Sequence, residues 1–266
     1  MDPTFWLFTA YGALGVFVFF SLLWLLHFPL RNASIVDVGW STGLAGLACG
    51  YAWLAAPDSP RAWLLAAMVT VWGVRLAAYL GLRILRDGKE EGRYVRLRET
   101  WKTNLGFKFF VFFQAQAMLD VVLAVPFLLV ALNPAPGLGV WEFLGVGLWL
   151  IAVGGEALAD QQLAAFKKDP ANRGKVCKRG LWAWSRHPNY FFEWLVWVAF
   201  AVFAMGSPWG WLGWLSPALM FYFIWNITGI PATEEQALST KGEAYRRYQR
   251  ETSAFFPWFP KRESSV

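Results

Sequence analysis

The sequence predicts an all-α polytopic membrane protein, a bundle of seven transmembrane helices with short cytoplasmic helices. Three observations lead there: an excess of apolar residues, seven long apolar stretches, and basic residues gathered into the connections between alternate stretches. Of 266 residues, 57% are hydrophobic and 16% charged, and the mean hydropathy is +0.37. A soluble domain carries roughly a quarter charged residues, so most water-soluble folds are excluded, and disordered or collagen-like chains with them. The 18 Trp, 23 Phe and 8 Tyr suit a chain that meets lipid and its interface, where amphipathic rings settle.

A helix crosses the hydrocarbon layer in about 20 residues. The stretches near 5–27, 35–56, 62–85, 107–132, 140–166, 190–205 and 209–230 meet that length, the sixth being short and separated from the seventh only by Gly206-Ser207-Pro208. The first is expected to remain as a helix. Asp2 stands where a cleavable leader has positive charge, and no small-residue cleavage site follows. Of the 24 Lys and Arg, 7 fall in 86–108, 7 in 167–189 and 6 in 231–266. By the positive-inside rule these segments are cytoplasmic, which puts the C-terminus inside and, with seven crossings, the N-terminus outside. The net charge of +6 reflects that asymmetry and points to anionic headgroups or a phosphate-bearing ligand, not to nucleic acid. No internal repeat or low-complexity linker divides residues 1–266, which read as one domain with a cytoplasmic tail at 231–266.

Ionisable groups in membrane helices usually face the bundle interior and mark a site. At about 100° per residue, Asp37, Trp40 and Ser41 share one face of the second stretch. Trp72, Arg75, Tyr79, Arg83 and Arg86 form a stripe on the third. On the fifth, Glu156, Asp160 and Lys167 share a face, with Gln162 beside them. Then come Trp182 and the run Arg186-His187-Pro188-Asn189-Tyr190, followed by Glu193 and Trp194. Pro188 suits the first turn of a new helix, whose free N–H groups attract anions beside Arg186 and His187. In the tail, Glu234 and Glu235 precede Tyr245 and Tyr248, which a short helix would place on one side. The expectation is a single water-poor chamber on which these groups converge. Bland readings stand beside it: headgroup contact for Arg83, Arg86 and Lys167, and bonds between helices for Asp120, Glu142, Gln114 and Asn226. His27 reads as a surface residue near the membrane boundary. Two histidines build no His-rich metal site, and Cys49 and Cys177 read as free thiols. No dinucleotide fingerprint, Walker loop or nucleophile elbow is present.

The Arg186-to-Trp194 run, Glu234-Glu235, Lys241-Gly242 through Tyr245 and Tyr248, and Phe256-Pro257-Trp258 resemble the membrane steroid 5-alpha-reductase family. The likeness is closest to its bacterial branch, formerly DUF1295, and extends to Val36-Asp37-Val38-Gly39-Trp40. The resemblance implies a bacterial inner-membrane enzyme that uses NADPH to reduce the C4–C5 double bond of a 3-oxo-Δ4-steroid or similar lipid enone. It implies lipids as further partners and no obligate protein partner. Asn189, Glu193, Asp160, Lys167, Arg83 and Tyr245 then fall at or near cofactor positions, with Trp182 against the nicotinamide. The polar groups Arg75, Arg86, Glu156 and Gln162 are assigned to the same cofactor, as are Arg186, His187, Tyr190, Glu234, Glu235 and Tyr248. Asp37 takes the place of a glutamate that polarises the C3 carbonyl, protonated in its apolar pocket. The partner tyrosine of that glutamate aligns with Trp72, which has no phenol, so Tyr79 or Tyr94 is expected to replace it. Glu156 replaces an asparagine. The motifs are shared more loosely with sterol double-bond reductases and with isoprenylcysteine carboxyl methyltransferases. A methyltransferase using S-adenosylmethionine and a non-enzymatic lipid-binding protein are therefore the alternatives.

Overall fold

The computed structural model describes residues 2–261, which are helical with no strand among them. The chain forms two compact units. Among the described residues, one comprises residues 2–143 together with Phe203–Ser216; the other comprises Leu144–Val202 and residues 217–261.

In the first unit, α1 (Pro3–Leu30) starts where the Asp2 carboxylate accepts the Thr4 N–H at 3.0 Å and Pro3 needs no helical partner. It stops at Arg31, in the left-handed conformation at φ 49°. Helix α2 (Ile35–Ala55) follows. Next, α3 (Pro60–Asp87) is capped by Ser59, whose hydroxyl accepts the Ala62 N–H at 3.3 Å, and ends at Gly88 with φ 60°. Close packing of α2 on α3 depends on Gly73, because a Cβ there would stand 2.6 Å from the Ser41 carbonyl oxygen. The basic connection 86–108 contains a short helix, α4 (Gly92–Thr100).

The fourth apolar stretch is two helices, not one: α5 (Leu105–Leu123) and α6 (Val125–Ala131), parted at Ala124. Pro126 explains the break, since it offers no N–H to the carbonyl four residues back and its ring crowds that position. At the far end, the buried Arg61 donates to Glu142 at 2.5 Å and to the Ala135 and Gly137 carbonyls. A buried ion pair holds only when its remaining hydrogen-bonding groups are also matched, and these are.

The second unit contains most of α7 (Val140–Lys168), then α8 (Pro188–Ala204), which begins at the expected proline. The seventh stretch is shorter than 209–230. A tight turn over Gly210–Trp214 precedes α9 (Leu215–Asn226), after which the Ile227 and Thr228 N–H groups both fold back to Phe223 O. Two tail helices complete the unit, α10 (Ile230–Lys241) and α11 (Glu243–Glu251).

Four of these helices, α1, α3, α5 and α7, are long and apolar enough to cross a membrane, and α8 is a shorter apolar helix. His27 corrects its expectation as a surface residue. It is only 2% exposed, enclosed by Phe28, Phe109 and Phe113, because its position in α1 turns it towards α5. Cys49 and Cys177 are both free.

Candidate functional site

Chemistry-bearing side chains gather in two places, one in each unit. In the first, Asp37 sits in the opening turn of α2. Its Oδ1 accepts the Tyr94 hydroxyl at 2.6 Å, and its Oδ2 accepts from Arg93 Nη2 at 3.2 Å. Arg93 also donates to Glu91 at 2.5 Å, and Glu91 accepts from Arg83 at 2.7 Å. The approach of α4 to α2 has a local cause. The Glu91 N–H donates to the Ser34 hydroxyl at 2.9 Å, and Glu90, held by Arg98, accepts the Ala33 N–H at 2.6 Å. Acidic groups thus tie the loop after α3 to the N-terminal end of α2, where free N–H groups and the helix dipole favour negative charge.

Tyr94 is 2% exposed. Burial, and next the negative charge of Asp37, push its phenol well above the ordinary tyrosine range, so it stays a hydrogen-bond donor at any physiological pH. Burial works to weaken the Arg93 cation, but the hydrogen bond to Glu91 and the charge of Asp37 outweigh it and raise its pKa. Trp72 is fully buried in edge contact with Trp40, ring centroids 5.8 Å apart, and supplies an apolar wall and no acid.

Of the two tyrosines weighed as substitutes for the missing phenol, Tyr94 is the one bonded to Asp37. Tyr79, on the stripe of α3 that carries Trp72, is 66% exposed. Arg86 is exposed, and Arg75 has two guanidinium nitrogens buried in α3. Sequence reasoning missed Arg93 and Glu91. The signal was present: Glu90-Glu91-Gly92-Arg93-Tyr94 mixes acids into a connection read only for its positive charge.

The second gathering centres on Glu234 of α10. Its Oε1 accepts from Arg186 at 2.7 Å and lies 3.2 Å from His187 Nε2, while Gln249 donates to Oε2 at 2.8 Å. Arg186 also donates to the Gln249 and Thr252 carbonyls, and its own N–H bonds Ser253 O. Burial tends to raise the Glu234 pKa, but the hydrogen bonds from His187 and Arg186 and the Arg186 charge prevail and bring it down to about 2. Burial, then the Glu234 charge, raises the Tyr245 phenol. The Tyr248 hydroxyl donates to the Trp182 and Ser185 carbonyls, and the Trp182 indole donates to Ala159 O at 2.9 Å. Tyr190 stacks on His187 and meets the Thr233 hydroxyl at 2.9 Å. Five of the residues expected on a cofactor, Trp182, Arg186, His187, Glu234 and Tyr248, thus fasten the tail helices to the 180–188 segment.

The remaining expected residues are spread over the same unit. Gln162 accepts the Leu181 N–H at 2.9 Å, and Gly180, at φ 59°, leaves room for its amide. Glu156 is buried, whereas Asp160, Lys167 and Glu235 are exposed. Asn189 and Glu193 lie half-buried one turn apart on α8. Lys241 is half-buried near Lys167; burial, then the charge of Lys167, lowers its pKa. Of the residues read as bonding between helices, Gln114 reaches Ser21 at 3.1 Å and Glu142 pairs with Arg61, but Asn226 bonds Tyr222 of its own helix. Asp120, fully buried, has no hydrogen-bond partner on either oxygen among the described residues.

The sequence matches the family described as "Protein of unknown function (DUF1295)" over residues 23–252. An uncharacterized protein of Schizosaccharomyces pombe is 28% identical over an alignment that covers 92% of this chain and 78% of the yeast protein. No solved structure matches.

Proposed function

This chain belongs to the DUF1295 family, and from that premise we propose that it is an integral membrane reductase that uses NADPH to saturate the C4–C5 double bond of a 3-oxo-Δ4-steroid or a similar lipid enone. In this reading it crosses the bilayer seven times, with the N-terminus outside and the C-terminus in the cytoplasm of a bacterial cell. The observation that carries the chemistry is the 2.6 Å hydrogen bond between Tyr94 and Asp37. A carboxyl paired with a phenol beside an apolar tryptophan wall is what polarisation of an enone carbonyl requires. It supplies a neutral donor where negative charge develops, in surroundings that strengthen the bond.

The donor in this arrangement is Tyr94. Asp37 accepts from both Tyr94 and Arg93, so it positions the phenol, whereas the sequence alone assigns Asp37 the protonated role. When an enone oxygen enters, the Tyr94 hydroxyl turns to it and stabilises the enolate, and Arg93 keeps Asp37 in place. A proton taken up from water at C4 completes the saturated ketone, so one hydride and one proton are added across the double bond.

The fit of NADPH is supported by residues of the second unit. Lys167 and Lys241 are close enough to depress an amine pKa, and neither meets an acid among the described residues, which suits them to phosphate oxygens. Asn189 and Glu193, one turn apart at the start of α8, offer the mixed donor and acceptor pair that an amide or ribose takes. NADPH supplies the hydride that goes to C5. The test is to incubate the full chain in nanodiscs with a 3-oxo-Δ4-steroid and NADPH and seek a product two hydrogens heavier by mass spectrometry. Loss of one such donor costs about 10²–10³ in rate, so Tyr94→Phe is expected to fall by that factor with NADPH affinity unchanged. Full activity in Tyr94→Phe removes the pair from the reaction.

A further inference from the structure

We propose that the groove between α1 and α2 is a binding site for one bilayer lipid with a flat, rigid ring system and a single hydroxyl or carbonyl, separate from the Asp37 cluster. The groove encloses about 420 Å³, within the roughly 300–1,000 Å³ of small-molecule sites. It runs from Phe8 to Phe19 on α1 and from Thr42 to Leu54 on α2. At roughly 1.5 Å per residue its α2 wall is about 18 Å long, enough for a fused-ring body lying along the helix.

The space exists because side chains are missing from it. At Gly15, Gly46 and Gly50 an added Cβ would meet nothing within 4 Å. Glycines on both helices stand among the rings of Phe8, Tyr11, Phe19 and Tyr51 in the lining, and bare backbone beside aromatic rings makes flat walls. Such walls match a planar ring system, which enters without the entropy loss that a flexible acyl chain suffers on being straightened.

One polar group is aimed into this apolar slot. Tyr51 is 4% exposed and lines the groove, its hydroxyl reaching over Gly12 into the position a Cβ would occupy there. That hydroxyl has no hydrogen-bond partner among the described residues. A hydroxyl left unmatched in an apolar slot is costly, and a ligand oxygen relieves the cost. Thr42, also in the lining, already donates to the Val38 and Gly39 carbonyls, and Tyr11 is 52% exposed at the rim, which leaves Tyr51 as the buried anchor. Tyr51 lies about one turn from the end of α2, so the ligand's oxygen sits near the membrane surface and its rings run inward.

The site is independent of the reaction proposed above. Tyr51 lies about 21 Å along α2 from Asp37, at about 100° per residue Gly43, Gly46 and Gly50 lie roughly 120–180° round the helix from it, and Ser41, on the Asp37 side, packs against Gly73 of α3.

The experiment uses the full chain in phosphatidylcholine nanodiscs without NADPH. It is exposed to a sterol carrying a ring diazirine and, in parallel, to a fatty acid carrying a chain diazirine, and labelled peptides are mapped. The sterol is expected to label segments 8–19 and 42–54 saturably, with competition by unlabelled sterol. Gly46→Leu, whose side chain enters open space, is expected to abolish that labelling. Tyr51→Phe should weaken it by up to about tenfold, the loss of one hydrogen bond. Equal labelling by the fatty acid overturns the proposal. Unchanged affinity in Tyr51→Phe overturns it too, and that variant decides the matter if Gly46→Leu fails to fold. Because no cofactor or turnover enters the readout, failure here is distinct from failure of the reductase reading.

Discussion

Tyr94 and Tyr79 are chemically identical, and only their surroundings separate them. Tyr94 donates to Asp37 at 2.6 Å and is buried; Tyr79 is 66% exposed. Tyr79→Phe is therefore expected to keep within about twofold of normal turnover, where one exposed hydroxyl contributes little, while Tyr94→Phe loses most of it. Comparing the two rates in one membrane preparation checks this directly. A one-dimensional reading sees both phenols near the Asp37 cluster and cannot choose, since the choice depends on the pairing of α4 with α2. Glu234 gives a second outcome. Its pKa falls from an ordinary 4.5 to about 2 on folding, so the folded state binds fewer protons there than the unfolded state between those values. The stabilisation is full above pH 4.5 and declines as the pH drops towards 2. Glu234→Gln should lower Tm at neutral pH, and its Tm should fall less steeply than the parent's between pH 5 and 2. A parallel pair of Tm-against-pH curves would show that Glu234 contributes nothing.

At the level of elements, glycine and proline decide the geometry. Gly73→Ala puts a methyl 2.6 Å from a backbone oxygen that cannot rotate away, so α3 must move off α2. A cost of about 1–3 kcal/mol, as for overpacking, is expected as a lower Tm. Activity should fall with it, because Asp37 and Trp72 stand on the two displaced helices. Gly147→Ala, where a Cβ meets nothing, is the matched control and should be neutral. The helical stretches themselves are largely legible from apolar run length, since each of the seven expected stretches contains helix. What escapes a run-length reading is interruption: Pro126 splits α5 from α6 without any drop in hydrophobicity, and Trp209, at φ 61°, opens a tight turn inside an apolar run. The small helix α4 escapes for the opposite reason, being too polar and short for periodicity to mark.

For the whole molecule, the readings compete through ligand linkage. A ligand bound only by the folded protein stabilises it by about 2.7 kcal/mol at a hundred times its Kd. NADPH is expected to raise Tm and S-adenosylmethionine to leave it unchanged; the reverse would favour a methyltransferase, and no shift from either would favour a lipid-binding protein. The orientation of the termini is a separate outcome, checked by protease digestion of tags in sealed inside-out vesicles, where only the C-terminal tag should be cut. The candidate site was legible as residue types but not as roles. Arg186, His187 and Tyr248 carry the motif that points to a ligand, yet their hydrogen bonds go to carbonyls and to Glu234 of the same unit. A motif records which side chains are needed and not whether they hold a ligand or hold the fold around it. Asp120 extends this to durability. A fully buried acid with neither oxygen matched takes something from the folded state and returns nothing visible to it. Swapping it for leucine should give a hardier protein, one that withstands detergent long enough for its partners to be screened.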